Sequence, residues 1–212
     1  NEDRAVKCLD SVNKYLATEY GIMILQPSFS KFYPELGSIS IYPPGLKENG
    51  AIFCHPNPWI IISECMIGRG EQAFKYYKAI APSEKNKIPD KHRLEPYVYC
   101  QMIAGRDHKD FGEAKNSWLT GSAAWNFIAV SQWILGIRAD YEGLIIDPCI
   151  PSSWDGFEAT RYFRGCNYII KVKNPNHICK GITKLYVDGK EIKGNIVPAF
   201  LDGKTHKVEA VI

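Results

Sequence analysis

The groups in this chain best suited to chemistry lie in two short polar segments. The first runs Lys47-Glu48-Asn49-Gly50 and continues through Phe53-Cys54-His55-Pro56-Asn57-Pro58-Trp59. The second is Asn116-Ser117-Trp118-Leu119-Thr120-Gly121. Each puts hydrogen-bonding side chains, Gly and Trp just before a strongly apolar stretch. These are the parts of a site for a sugar and an anion: aromatic faces stack on sugar C–H surfaces, and backbone N–H groups at a helix start favour negative charge. No metal site is legible. The five His are isolated, and the seven Cys, at positions 8, 54, 65, 100, 149, 166 and 179, have no CxxC and no ligand spacing.

The elements that must hold these segments come from a chain of 212 residues, enough for one large domain or two small ones. Apolar content of 45% supports a real core. A net charge of +3, with Lys and Arg scattered among Asp and Glu, gives no basic stripe and argues against nucleic acid. The aromatic fraction of 12% suits carbohydrate stacking or simple core filling. An odd number of dispersed Cys reads as buried thiols in a reducing cytoplasm rather than as a disulfide framework. No apolar run reaches the roughly 18 residues of a membrane span. No secretory signal is visible, although the chain opens on Asn-Glu-Asp-Arg without Met.

Periodicity predicts a helix over 4–18, then a long ordered loop over 20–55 broken by Pro27, Pro34, Pro43 and Pro44. Helices follow over 57–67, capped by Asn57 and ended by Gly68, and over 70–80. Residues 81–94 read as a Lys-rich surface loop, 95–104 as a third helix and 105–120 as another loop. Residues 121–135 read as a helix apolar nearly all round and therefore buried on several sides. From there the pattern changes to short strands at 143–147, 157–163, 166–173, 182–187, 190–192 and 206–212, with Val187-Asp188-Gly189-Lys190 as a hairpin signal. The expected class is α+β: helices over 1–140, then an antiparallel β-sandwich over 141–212.

A string of motifs in fixed order carries a family resemblance. It comprises Lys-Glu-Asn-Gly (47–50), Phe-Cys-His (53–55), Asn-Pro-Trp (57–59), Gly-Arg-Gly (68–70), Glu-Pro-Tyr-Val-Tyr (95–99), Asn-Ser-Trp-Leu-Thr-Gly (116–121), Leu-Gly-Ile-Arg (135–138) and Ile-Asp-Pro-Cys-Ile-Pro (146–151), followed by Arg161-Tyr162-Phe163-Arg164-Gly165. This string resembles the C-terminal region of the cellobiose and chitobiose phosphorylase family. The resemblance implies the last helices of an (α/α)6 barrel over 1–140 and a jelly-roll-like β domain over 141–212. It implies an inverting enzyme that cleaves a β-linked, cellobiose-like disaccharide with inorganic phosphate, giving an α-sugar 1-phosphate and a free sugar. Such an enzyme needs no cofactor beyond its phosphate substrate. It also implies a remaining N-terminal part as partner, and a homodimer.

By the same resemblance, His55, Thr120 and Gln101 belong to a phosphate pocket, Lys47, Glu48 and Gln101 hold donor-sugar hydroxyls, and Tyr42 lines the acceptor subsite. The residue chemistry allows plainer readings as well. His55 and Thr120 can be helix caps, Lys47-Glu48 a solvated turn, Gln101 an ordinary helix residue and Tyr42 loop packing. The family's general acid, an Asp in a Trp-Asn-Asp-like context, has no counterpart here; Asp107, Asp110 and Asp140 lie in other contexts. Catalytic residues are therefore expected upstream, and the chain alone is expected to be inactive. Ser38 stands where cellobiose phosphorylases are expected to carry an acidic residue, which leaves the acceptor sugar open. The competing class is a non-catalytic carbohydrate-binding or structural fragment.

Overall fold

Apolar residues at helical spacing and strands punctuated by Gly, Asp and Pro divide the chain into helical and β parts. The computed structural model describes residues 2–212. They form two compact units, one built from residues up to Ser63 with Lys75–Phe127, the other from Glu64–Phe74 with Ile128–Ile212. The elements are α1 (Glu2–Ser11), β1 (Ala17–Thr18), β2 (Gly21–Ile22), β3 (Ile52–Phe53), α2 (Asn57–Met66), α3 (Gly70–Ile80), α4 (Pro82–Lys85), α5 (Pro89–His92), β4 (Cys100–Ile103), β5 (Ala114–Ser117) and α6 (Ser122–Ile128). They continue with β6 (Ile137–Ala139), β7 (Gly143–Ile146), β8 (Gly156–Phe163), β9 (Cys166–Lys173), β10 (Lys184–Val187), β11 (Lys190–Ile192), β12 (Ile196–Pro198) and β13 (Thr205–Val211). The class is mixed helix and sheet with several antiparallel pairings, as expected.

In the first unit, β3, β4 and β5 form an antiparallel sheet. Met23, Ile52, Cys54, Ile80, Cys100, Ile103 and Ala114 make its core, with Tyr20 and Phe111 packed against them. The helix expected over 95–104 is absent: residues 95–99 turn, and Cys100–Ile103 is the middle strand. A four-residue run, Cys-Gln-Met-Ile, is too short for its periodicity to separate helix from strand, and pairing with neighbours on both sides decides. The segment 105–120 likewise contains β5. The Lys-rich segment 81–94 is no plain surface loop. It holds α4 and α5, and Lys85 and His92 are buried. The Lys85 ammonium donates to the Ala79 carbonyl and lies 5.5 Å from the Tyr20 ring centroid, so its charge is partly matched inside.

Helix α6 continues as a π turn over Ala129–Ile134. Phe127 is 64% exposed, so this helix is less enclosed than its composition predicts. Asn57 does more than start α2. Its Oδ1 accepts from the Ile22 N–H at 2.8 Å, and its Nδ2 donates to the carbonyls of Ile22 and Phe53 at 3.0 and 2.8 Å.

In the second unit, β11-β10-β13-β9-β8 form one sheet and β12-β7-β6 another. Buried side chains alternate along β9 (Cys166, Tyr168, Ile170, Val172) and β13 (His206, Val208, Ala210), the signature of sheets with one apolar face. The Tyr168 hydroxyl donates to the Pro198 carbonyl at 3.4 Å, tying the two sheets. Both long hairpins turn through two residues of positive φ, Arg164-Gly165 and Asp188-Gly189, as tight hairpins require. One feature departs from the antiparallel expectation: β13 runs parallel to β9, with His206 beside Tyr168.

Candidate functional site

The two polar segments meet in the first unit. Strand β4 carries Gln101 between them: the Cys54 N–H donates to the Gln101 carbonyl at 2.9 Å, and Cys100 pairs with Ser117. The Gln101 Oε1 accepts from the Lys47 ammonium and, at 3.0 Å, from the Asn116 amide. Lys47 is held from behind, its N–H pointing to the Met102 sulfur at 3.0 Å. Lys47, Asn116 and Trp118 all have positive φ, at 49°, 56° and 68°. Non-Gly residues in that region carry strain, and such residues cluster at functional sites. Next to Lys47, the Glu48 Oε2 is shielded from solvent and has no hydrogen-bond partner. A carboxylate oxygen in that state leaves an acceptor ready for a hydroxyl donor.

His55 and Thr120 meet through Gly121. A Cβ on Gly121 would lie 2.5 Å from His55 Cε1 and 2.6 Å from Nδ1, so the ring is laid directly on that backbone. Trp59 and Trp125 flank the imidazole edge-on, with centroids at 5.7 and 6.5 Å. Trp59 is 47% exposed and Trp125 half-buried, so the two rings wall His55 rather than fill a core. Thr120 is the cap of α6: its Oγ1 accepts from the Ser122 N–H at 3.1 Å and lies 2.6 Å from the Ser122 hydroxyl. The cap reading therefore holds for Thr120, one residue before the glycine on which His55 lies.

Tyr42 stands apart. It is exposed, and its carbonyl accepts from the Asn49 amide at 2.7 Å, at the edge of a surface hollow lined by Phe29, Phe32, Tyr42 and Pro44. Ser38 is exposed in the short helical segment Pro34–Ile41. The site thus contains Lys47, Glu48, Gln101 and Asn116 in one contiguous set, with His55, Gly121 and Thr120 in a second. Asn116 escaped the residue-by-residue reading. Its signal was its place opposite Gln101 across β4 and β5, which needs the strand pairing.

A family model described as the glycosyl hydrolase 94 superfamily, catalytic domain, matches residues 1–136. The chain belongs to the glycosyl hydrolase 94 superfamily. Relatives within reach of this glycosyl hydrolase 94 chain include an N,N'-diacetylchitobiose phosphorylase of Vibrio proteolyticus, 43% identical over 212 residues, and one of Vibrio furnissii, 40% identical over 213 residues. A solabiose phosphorylase of Paenibacillus borealis is 37% identical over 207 residues. The first two alignments cover 100% of this chain and 26% of the relative, the third 98% and 27%. The chain therefore spans about a quarter of the length of the curated relatives it matches. No helix among the described residues is long and apolar enough to cross a membrane.

Proposed function

We propose that this chain carries the phosphate side and part of the donor-sugar side of an inverting disaccharide phosphorylase. In the reaction, a phosphate oxygen bonds to the anomeric carbon as the glycosidic C–O bond breaks, and the leaving oxygen takes a proton from a carboxylic acid. Phosphate is already a nucleophile, so the protein's task is to hold it opposite the leaving group. His55 and Thr120 are assigned to the phosphate, with Gln101 between phosphate and sugar. Lys47 and Glu48 are assigned to sugar hydroxyls, and Tyr42 to the acceptor. The proton donor is assigned to no residue of this chain.

The observation that carries the reading is the solvent-shielded, unpartnered Glu48 Oε2 beside the Lys47–Gln101–Asn116 hydrogen bonds. A solvated turn would satisfy that oxygen with water or an adjacent cation. Residues 1–140 are read as the end of an (α/α)6 barrel and 141–212 as its companion β domain. A further part of the enzyme would complete the barrel, in a homodimer. Five buried thiols suit a reducing cytoplasm. The substrate is a β-linked disaccharide. Two relatives named for diacetylchitobiose, together with Ser38 in place of an acidic residue, put diacetylchitobiose beside cellobiose as a candidate.

The test is phosphorolysis of both sugars by the complete enzyme, followed as sugar 1-phosphate release. Glu48→Gln should lower kcat/KM for the disaccharide roughly tenfold or more, the scale of one charged hydrogen bond. His55→Ala should raise KM for phosphate with a smaller effect on the sugar. If both variants change only thermal stability, the structural-fragment reading stands instead.

A further inference from the structure

The second unit brings together three side chains that lie far apart in sequence: Cys166, Asp202 and His206, whose ligand atoms all lie within 4.8 Å of one another. We propose that they form a zinc site, with Asp188 orienting the histidine. The Cys166 sulfur lies 3.4 Å from Asp202 Oδ1, and His206 Nε2 lies 3.1 Å from the same oxygen. Zinc bonds of about 2.0–2.3 Å to N, O and S give tetrahedral edges of roughly 3.3–3.6 Å. Two of the three edges are therefore near their metal-bound lengths, and side-chain shifts of about 1 Å bring in the third.

The surroundings are those of a built site. Cys166 and His206 are 0% and 5% exposed, while Asp202 faces solvent and leaves a route for the ion. Phe200 stacks on the His206 ring at 3.9 Å and 17°, which fixes its plane. His206 Nδ1 lies 2.8 Å from Asp188 Oδ2, leaving Nε2 for the metal, as in carboxylate–histidine–zinc arrangements. The parallel pairing of β13 with β9, continued by the Asn167 N–H to Lys204 carbonyl bond of 3.0 Å, locks the backbones that carry Cys166 and His206. Water from the open side completes four-coordination.

Binding releases the Cys166 thiol proton to solvent, and His206 binds through an Nε2 free of its proton while Nδ1 keeps a proton for Asp188. Lys204, with its ammonium 3.6 Å from Asp202 Oδ2, must swing out. It is long and exposed, so the movement is cheap.

The experiment is cobalt(II) titration of the full native chain, read by near-ultraviolet thiolate-to-metal charge-transfer absorption and visible d–d bands, with zinc as competitor. The expected result is saturation at about one metal per chain, with the cobalt bands displaced by zinc. Cys166→Ser should abolish the charge-transfer band. Asp188→Asn, which keeps all three ligands, should retain the band and weaken affinity about 10–100-fold. Absence of charge-transfer absorption in the native chain, or the same absorption in Cys166→Ser, would overturn the proposal and leave an ordinary histidine–carboxylate network. None of these readouts depends on phosphorolysis.

Discussion

Gly121 shows how a single hydrogen in place of a methyl group can shape a site. With its would-be Cβ 2.5 Å from the His55 ring, Gly121→Ala must push the imidazole away from the α6 start. In the complete enzyme this should raise KM for phosphate, while the disaccharide KM moves less; equal movement of both would argue against an anion at His55. His92 is a second residue with a clear consequence. It is 3% exposed, its Nδ1 has no partner, and burial beside the Lys85 cation holds it down to about 4. Its unfolded counterpart titrates near the ordinary value of about 6.5. Between those values the unfolded chain binds the proton and the folded one does not. Stability should therefore fall as pH drops from about 6.5 to about 4, by roughly 3 kcal/mol, and level off below for this group. His92→Phe should flatten that window in urea melts recorded across pH. An unchanged slope would remove His92 as the cause.

At the scale of elements, Asn57 clasps β2 and the end of β3 to the first turn of α2. Asn57→Ala leaves the Ile22 N–H and the carbonyls of Ile22 and Phe53 without their partner. The expected cost is roughly 2–4 kcal/mol, read as a lower midpoint in chemical denaturation. A loss under about 0.5 kcal/mol would mean that water replaces the amide. The same scale shows what could be read in advance. α2, α3 and the hairpin at Asp188-Gly189 were legible because caps, helical spacing and turn residues act locally. β4 was not, because Cys-Gln-Met-Ile becomes a strand through its pairing with β3 and β5, which lie well outside the run itself. Gln101 was named by family resemblance as a phosphate- and sugar-binding residue, and periodicity placed it on a helix. It is instead a strand residue whose amide is aimed by Lys47 and Asn116. The Cys166–Asp202–His206 cluster was invisible for a related reason: spacing rules detect local ligand pairs, and these ligands are gathered by a parallel strand pairing.

At the scale of the whole molecule, β13 lies between β10 and β9 and bonds to both. Deleting residues 204–212 should therefore strip protection from both hairpins at once, not from one. Hydrogen–deuterium exchange followed by peptide mass spectrometry would detect this as simultaneous loss across 156–173 and 184–192. Retained protection in either hairpin would show that it stands without the central strand.

That central position also orders events during synthesis. The β8–β9 and β10–β11 hairpins leave the ribosome before β13, and each first presents an edge that has no mate. Local turns let each hairpin form early, but the sheet closes only when the Thr205–Val211 stretch is released and slides between them. Until then, two half-sheets with exposed amide edges wait side by side, open to pairing with the wrong chain. Of the five strands in this sheet, the one made last is the one that ends that interval, and slowing its emergence should raise misassembly more than slowing any of the other four.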